Sequence, residues 1–209
     1  MARKQSFLHH ESRFSMALST VWDLMKLNLL TLVCSLPVIT IGASFTAMHQ
    51  VMIKLVRKEE SYVSRDYFHA LKENFLPASL LWLLKLAFLI PLFFQLISLD
   101  QELAVWPKPL SYVVLTSGFA ILILLAFVFP LQAYFKNTLL GTIGNSFRLG
   151  IAKLPRAVVM AFIWILPVMV LVHLWLLFPV VLFLGISLPG YLCCRLYEPV
   201  FRNLTKDEG

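Results

Sequence analysis

The sequence predicts an all-α fold, a polytopic helical membrane protein, and three observations carry that reading. Of its 209 residues, 59% are hydrophobic, above the roughly 45–50% apolar content of soluble domains. Its charges are clustered, so that Leu27–Ile53, Pro109–Phe135 and Ala157–Cys194 contain no Asp, Glu, Lys or Arg. Each of these runs exceeds the roughly 20 residues that a helix needs to cross a bilayer. A fourth apolar run, Asn74–Leu99, carries one basic residue inside the span, Lys85.

Residues 1–209 are expected to form a single membrane domain. Six membrane helices or half-helices are predicted at about 15–36, 43–58, 77–99, 109–136, 156–176 and 178–198. Two short cytoplasmic amphipathic helices are predicted at about 64–75 and 139–152, and five spans are the alternative. The first element opens on a basic stretch, Met1–Lys26, which is expected to be retained because the apolar run after it is too long for a signal peptide. Asp23 and Lys26 stand three residues apart, on one helix face where they can neutralise each other. Asn28 follows as a candidate interhelical hydrogen-bonding group.

The choice between six elements and five turns on Leu27–Ile53. As one span, it places twelve Lys and Arg inside and five outside; folded back on itself, it places sixteen inside and one outside, Lys85 being left unassigned. The second split follows the positive-inside rule better, and it puts both termini on the cytoplasmic side of the cell membrane. Pro37 disfavours helix before it and Gly42 permits a sharp turn, so the fold-back is expected between them. The second arm then reads as a re-entrant or tilted half-helix.

Next along the chain, Tyr67, Phe68, Leu71 and Phe75 form an apolar face at helical spacing, with Ser64 as N-cap and Pro77 marking the start of the next span. The layout recurs at Leu140, Ile143, Phe147 and Ile151, followed by Leu154-Pro155. Such helices either lie in the headgroup region or dock a cytoplasmic partner. The candidate docking face is Tyr67, Phe68, Leu71, Phe75, Phe147 and Arg148.

Lys85 lies eight residues past Pro77, about 12 Å along a helix, from where its stem can snorkel to the interface. The charge-free run Ala157–Cys194 is 38 residues long, about 57 Å as a straight helix, so it must fold back, and Pro179 stands near its middle. Cys34, Cys193 and Cys194 describe no disulfide framework, and the scattered His residues show no metal-ligand spacing. No Walker-type glycine loop, His-Glu-x-x-His helix or Gly-x-Ser-x-Gly elbow is present. No catalytic residues, cofactor, metal or nucleic-acid partner are therefore expected.

Three segments carry a family resemblance: Asn28-Leu-Leu-Thr-Leu-Val-Cys-Ser-Leu-Pro-Val-Ile-Thr-Ile-Gly-Ala-Ser44, Lys54-Leu-Val-Arg-Lys-Glu-Glu60 and Phe68-His-Ala-Leu-Lys-Glu-Asn-Phe75. The chain resembles the YesL family, small multi-pass membrane proteins of unknown function from Gram-positive bacteria. The resemblance implies an accessory or regulatory role in carbohydrate uptake, with a sugar transporter or its ATPase as partner. The alternative is a small transporter or channel acting as a homo-oligomer, with the Pro37–Gly42 break and Lys85 near its path.

Overall fold

A computed structural model describes residues 2–98, 107–135 and 138–207. Among them are nine α-helices and no strand: α1 Ala2–Cys34, α2 Ile41–Arg57, α3 Val63–Ile97, α4 Lys108–Leu124, α5 Val128–Tyr134, α6 Leu139–Ala152, α7 Leu154–His173, α8 Phe178–Leu184 and α9 Ser187–Asp207. The expected ends at 99 and 136 lie outside the described residues. Val38–Arg57, Val63–Ile97, Lys108–Tyr134 and Leu154–His173 are long and apolar enough to cross a membrane; the pair α8 and α9, bent by 49°, makes a fifth such unit. These are the helices of a polytopic membrane protein.

The chain folds back between α1 and α2. Thr40 holds the turn, its hydroxyl lying 2.6 Å from the Cys34 carbonyl and 2.7 Å from that of Pro37. Pro37 is extended and starts a short 3-10 turn, Val38–Thr40. The two arms flank the start of α9: Asn28 of α1 bonds to residues 186 and 187, while Met48 and Met52 of α2 lie against Gly190.

Gly42 plays a different part from the expected one. It takes helical geometry inside α2, and among the described residues no glycine has positive φ. A Cβ there would overlap the Ala78 carbonyl and the Trp82 Cβ, so the glycine serves the close approach of α2 to α3. Ala43, Ser44 and Ala47 continue this small, buried surface.

α2 runs antiparallel to the first part of α3. Lys54 pairs with Asp66 at 3.1 Å, Gln50 accepts from Asn74, and Trp82 Nε1 donates to the Val38 carbonyl at 2.8 Å. Over half of the α2 span is buried, against about a tenth of the α3 and α7 spans. A helix enclosed by protein meets other helices rather than lipid, so it can carry Ser44, Thr46 and His49 among its buried residues.

Several predicted boundaries differ, beginning with the first helix, which starts at Ala2 and not near residue 15. The amphipathic stretch 64–75 and the span after it form one helix, α3, which continues through Pro77 and Pro91. Proline removes one backbone bond, but its φ is helical, and the next turn is held in place because Ala78, Ser79 and Leu81 are buried. The predicted helix 109–136 is one membrane-length span, Lys108–Tyr134, that tightens into a 3-10 turn at Leu125–Phe127. Pro130 has no N–H to donate to the Ala126 carbonyl four residues back, and Ser146 of α6 donates its hydroxyl to the Leu124 carbonyl at 3.2 Å. The predicted helix 178–198 is broken between α8 and α9.

The proposed docking face also divides. Tyr67 is fully buried and Leu71 packs on the core, whereas Phe68 and Phe75 remain exposed. Residues 67 and 71 are one turn apart on the inward side; 68 and 75 share the outward side. Tyr67 therefore belongs to the core and not to a docking surface. On α6 the polarity is inverted: Thr142, Ser146 and Gly150 face inward, while Leu140, Phe147, Arg148 and Ile151 face outward.

Candidate functional site

α3 carries Lys85 into a cavity of about 490 Å³ between α2, α3, α4, α5 and α7. Its walls are aromatic because each helix contributes a large ring: Phe45, Trp82, Phe119, Phe129 and Trp164. Phe45 anchors the set, with ring centroids 5.4 Å from Trp164 and 6.3 Å from Phe129. Two polar side chains line it. The Lys85 ammonium sits 5.3 Å from the Phe129 ring centroid, and His49 bonds through Nδ1 to the Tyr197 hydroxyl at 3.0 Å.

No carboxylate lies within ion-pair distance of Lys85 among the described residues. A cation over an aromatic face is stabilised by about 0.5–2 kcal/mol, less than an ammonium loses by leaving water altogether. The site thus retains capacity for an anion. Phe119 and Ile165, half exposed on α4 and α7, place its mouth on the apolar outer surface.

The other sequence candidates lie elsewhere. Asn28 bridges the α8–α9 break: Nδ2 donates to the Leu182 carbonyl at 2.8 Å, and Oδ1 accepts from the N–H groups of Ile186 and Ser187 at 2.9 and 2.8 Å. Lys26 stacks over Trp22, one turn back, at 5.3 Å, and forms no ion pair with Asp23 among the described residues. Pro37 and Gly42 serve the turn and the α2–α3 contact. The structure therefore brings none of Asp23, Lys26, Asn28 or Pro37 into the cavity with Lys85.

Two polar clusters had no clear signal in the sequence. Gln50, Asn74, Gln132 and Thr142 form a ladder across α2, α3, α5 and α6, in which the Thr142 hydroxyl donates to Gln132 Oε1 at 3.0 Å. At the end of α2, Arg57 donates through Nε to Glu198 at 2.9 Å and through Nη2 to the Tyr134 hydroxyl at 2.6 Å. Both join groups far apart in the chain, which spacing within one helix cannot reveal. Among the described residues no group of His, Cys, Asp and Glu is arranged to hold a metal ion.

Residues 24–96 match the family model described as a protein of unknown function, DUF624. This is the YesL family. The match covers the last third of α1, all of α2 and nearly all of α3, which together form the fold-back and its partner helix. Comparison with curated proteins and with solved structures returned no match.

Proposed function

We propose that this chain, whose residues 24–96 match the DUF624 family model, is a non-enzymatic accessory protein of a membrane transport system. Carbohydrate uptake is the setting that the family resemblance implies. The observation carrying this reading is the inverted polarity of α6. Its inward residues Thr142, Ser146 and Gly150 leave Leu140, Phe147 and Ile151 outside, beside Arg148. An apolar helix face flanked by charge needs a cover of protein or lipid, and Phe68 and Phe75 extend the same need to α3.

Photo-crosslinking from residues 75 and 147 in cells tests the proposal. Adducts with the membrane subunits or ATPase of a sugar transporter are expected. Adducts with lipid alone would defeat the docking role.

The second reading, a small oligomeric transporter, draws on the bent pair α8–α9, since transporters use such breaks at substrate sites. The cavity fits a free sugar poorly. Apart from the side chains of Lys85 and His49 its walls are apolar, and each sugar hydroxyl left unbonded would cost about 1–3 kcal/mol. Reconstituted flux abolished by Lys85→Gln would favour this reading over the accessory role.

The register of α2 on α3 supports a re-entrant first hairpin with both termini cytoplasmic. The α1–α2 turn stands beside Trp82, fifteen residues short of the α3 end at Ile97, which leaves about 22 Å of α3 beyond it. Leu36, Val38 and Ile39 at the tip are exposed and apolar, as a tip ending in hydrocarbon requires. A single cysteine at position 6 is expected to react only with reagent on the cytoplasmic side, and one at position 36 to resist aqueous reagent from both sides. Labelling of position 36 from outside would mean that the hairpin crosses.

A further inference from the structure

We propose that the cavity around Lys85 is a binding site for an anionic phospholipid of the surrounding bilayer, which inserts an acyl chain among the aromatic walls and sets its phosphate against the Lys85 ammonium. The proposal goes beyond the docking role and does not depend on it, because the cavity is separate from the outward faces of α6 and the first part of α3.

Three observations meet here. First, the volume of about 490 Å³ lies within the roughly 300–1,000 Å³ of ligand sites, and Phe45, Trp82, Phe119, Phe129 and Trp164 offer a chain apolar contact throughout. Second, Lys85 stands over the Phe129 ring and forms no ion pair among the described residues. An ammonium in such surroundings gains most from a ligand that brings its own negative charge. Third, the mouth opens between the outer faces of α4 and α7, where Phe119 and Ile165 are exposed among Val113, Phe162 and Leu166. A ligand arriving there comes from the lipid phase, not from water.

The two polar side chains divide the work. The Nδ1 of His49 is occupied by the Tyr197 hydroxyl, so His49 is tied to α9, and Lys85 is left as the charge that selects the headgroup. A zwitterionic lipid fills the same apolar volume but places a compensating cation beside that ammonium. Selectivity for the anionic headgroup therefore rests on Lys85, and retention of the chain rests on the walls.

Tryptophan quenching by brominated lipid tests this, because Trp82 and Trp164 line the cavity. The full chain would be reconstituted in phosphatidylcholine vesicles doped with brominated phosphatidylglycerol or with brominated phosphatidylcholine. The anionic lipid is expected to quench at a roughly five-fold lower mole fraction, the order of one lysine–anionic lipid contact. Lys85→Gln should abolish that difference and Lys85→Arg should retain it. Ala161→Phe, which fills the cavity, should remove the selective component without touching Lys85. Equal quenching by the two lipids in the parent protein, or a preference that survives Lys85→Gln, would overturn the proposal. So would displacement of brominated phosphatidylglycerol by a low mole fraction of free fatty acid, which would make the carboxylate amphiphile the ligand instead.

Discussion

Replacing Asn28 by leucine is expected to destabilise the protein by about 4 kcal/mol and to lower its thermal midpoint in detergent by roughly ten degrees. The amide is fully buried and bonds to three backbone groups at the α8–α9 break, the Leu182 carbonyl and the N–H groups of Ile186 and Ser187. A helix break frees such groups from their intrahelical partners, and at membrane depth no water replaces them. Leucine has similar volume, so the loss reports the orphaned backbone rather than a cavity. Asn28→Asp should fall between leucine and the parent, since it keeps the acceptor for both N–H groups and loses the donor to Leu182. An unchanged midpoint for Asn28→Leu would mean that the bend is held by packing alone.

Gly42→Leu is expected to have a comparable effect, about 3 kcal/mol or more, by overpacking. Even the first side-chain carbon would overlap the Ala78 carbonyl and Trp82 Cβ, and neither can swing away as the tip of a flexible chain would. α2 must then move off α3, which breaks the bond from Trp82 to the Val38 carbonyl and opens the cavity wall. The same measurement should show a smaller loss for Gly42→Ala. Gly144 supplies the control: nothing lies within 4 Å of a Cβ placed there, so Gly144→Ala should be neutral or stabilising by up to about 1 kcal/mol. Equal effects at 42 and 144 would remove the close-approach argument.

The membrane class and helix order were legible because lipid imposes one chemical demand on every spanning residue, and runs without charge meet it visibly. Lys85 stood out for the same reason. Its surroundings did not, because Phe45, Phe119, Phe129 and Trp164 come from α2, α4, α5 and α7 and look like ordinary apolar residues in their own segments. Periodicity finds the stripe on a helix but not its direction, which explains the treatment of Tyr67 as docking surface. Inside a membrane either side can be apolar, so the division between Tyr67 and Phe68 needs a neighbouring helix to define it.

By itself the sequence determined that this chain is a bundle of membrane helices, that it turns near Pro37, and that Lys85 is the charge within a span. Those are local properties, set by transfer of each side chain into hydrocarbon and by proline's missing N–H. Tertiary structure alone decided that α3 runs on through Pro77, that Gly42 is a contact glycine and not a turn glycine, and that Asn28 seals a break more than 150 residues away. These depend on which surfaces meet. A proline is tolerated, a glycine required or a buried amide satisfied only by the particular backbone that packs against it.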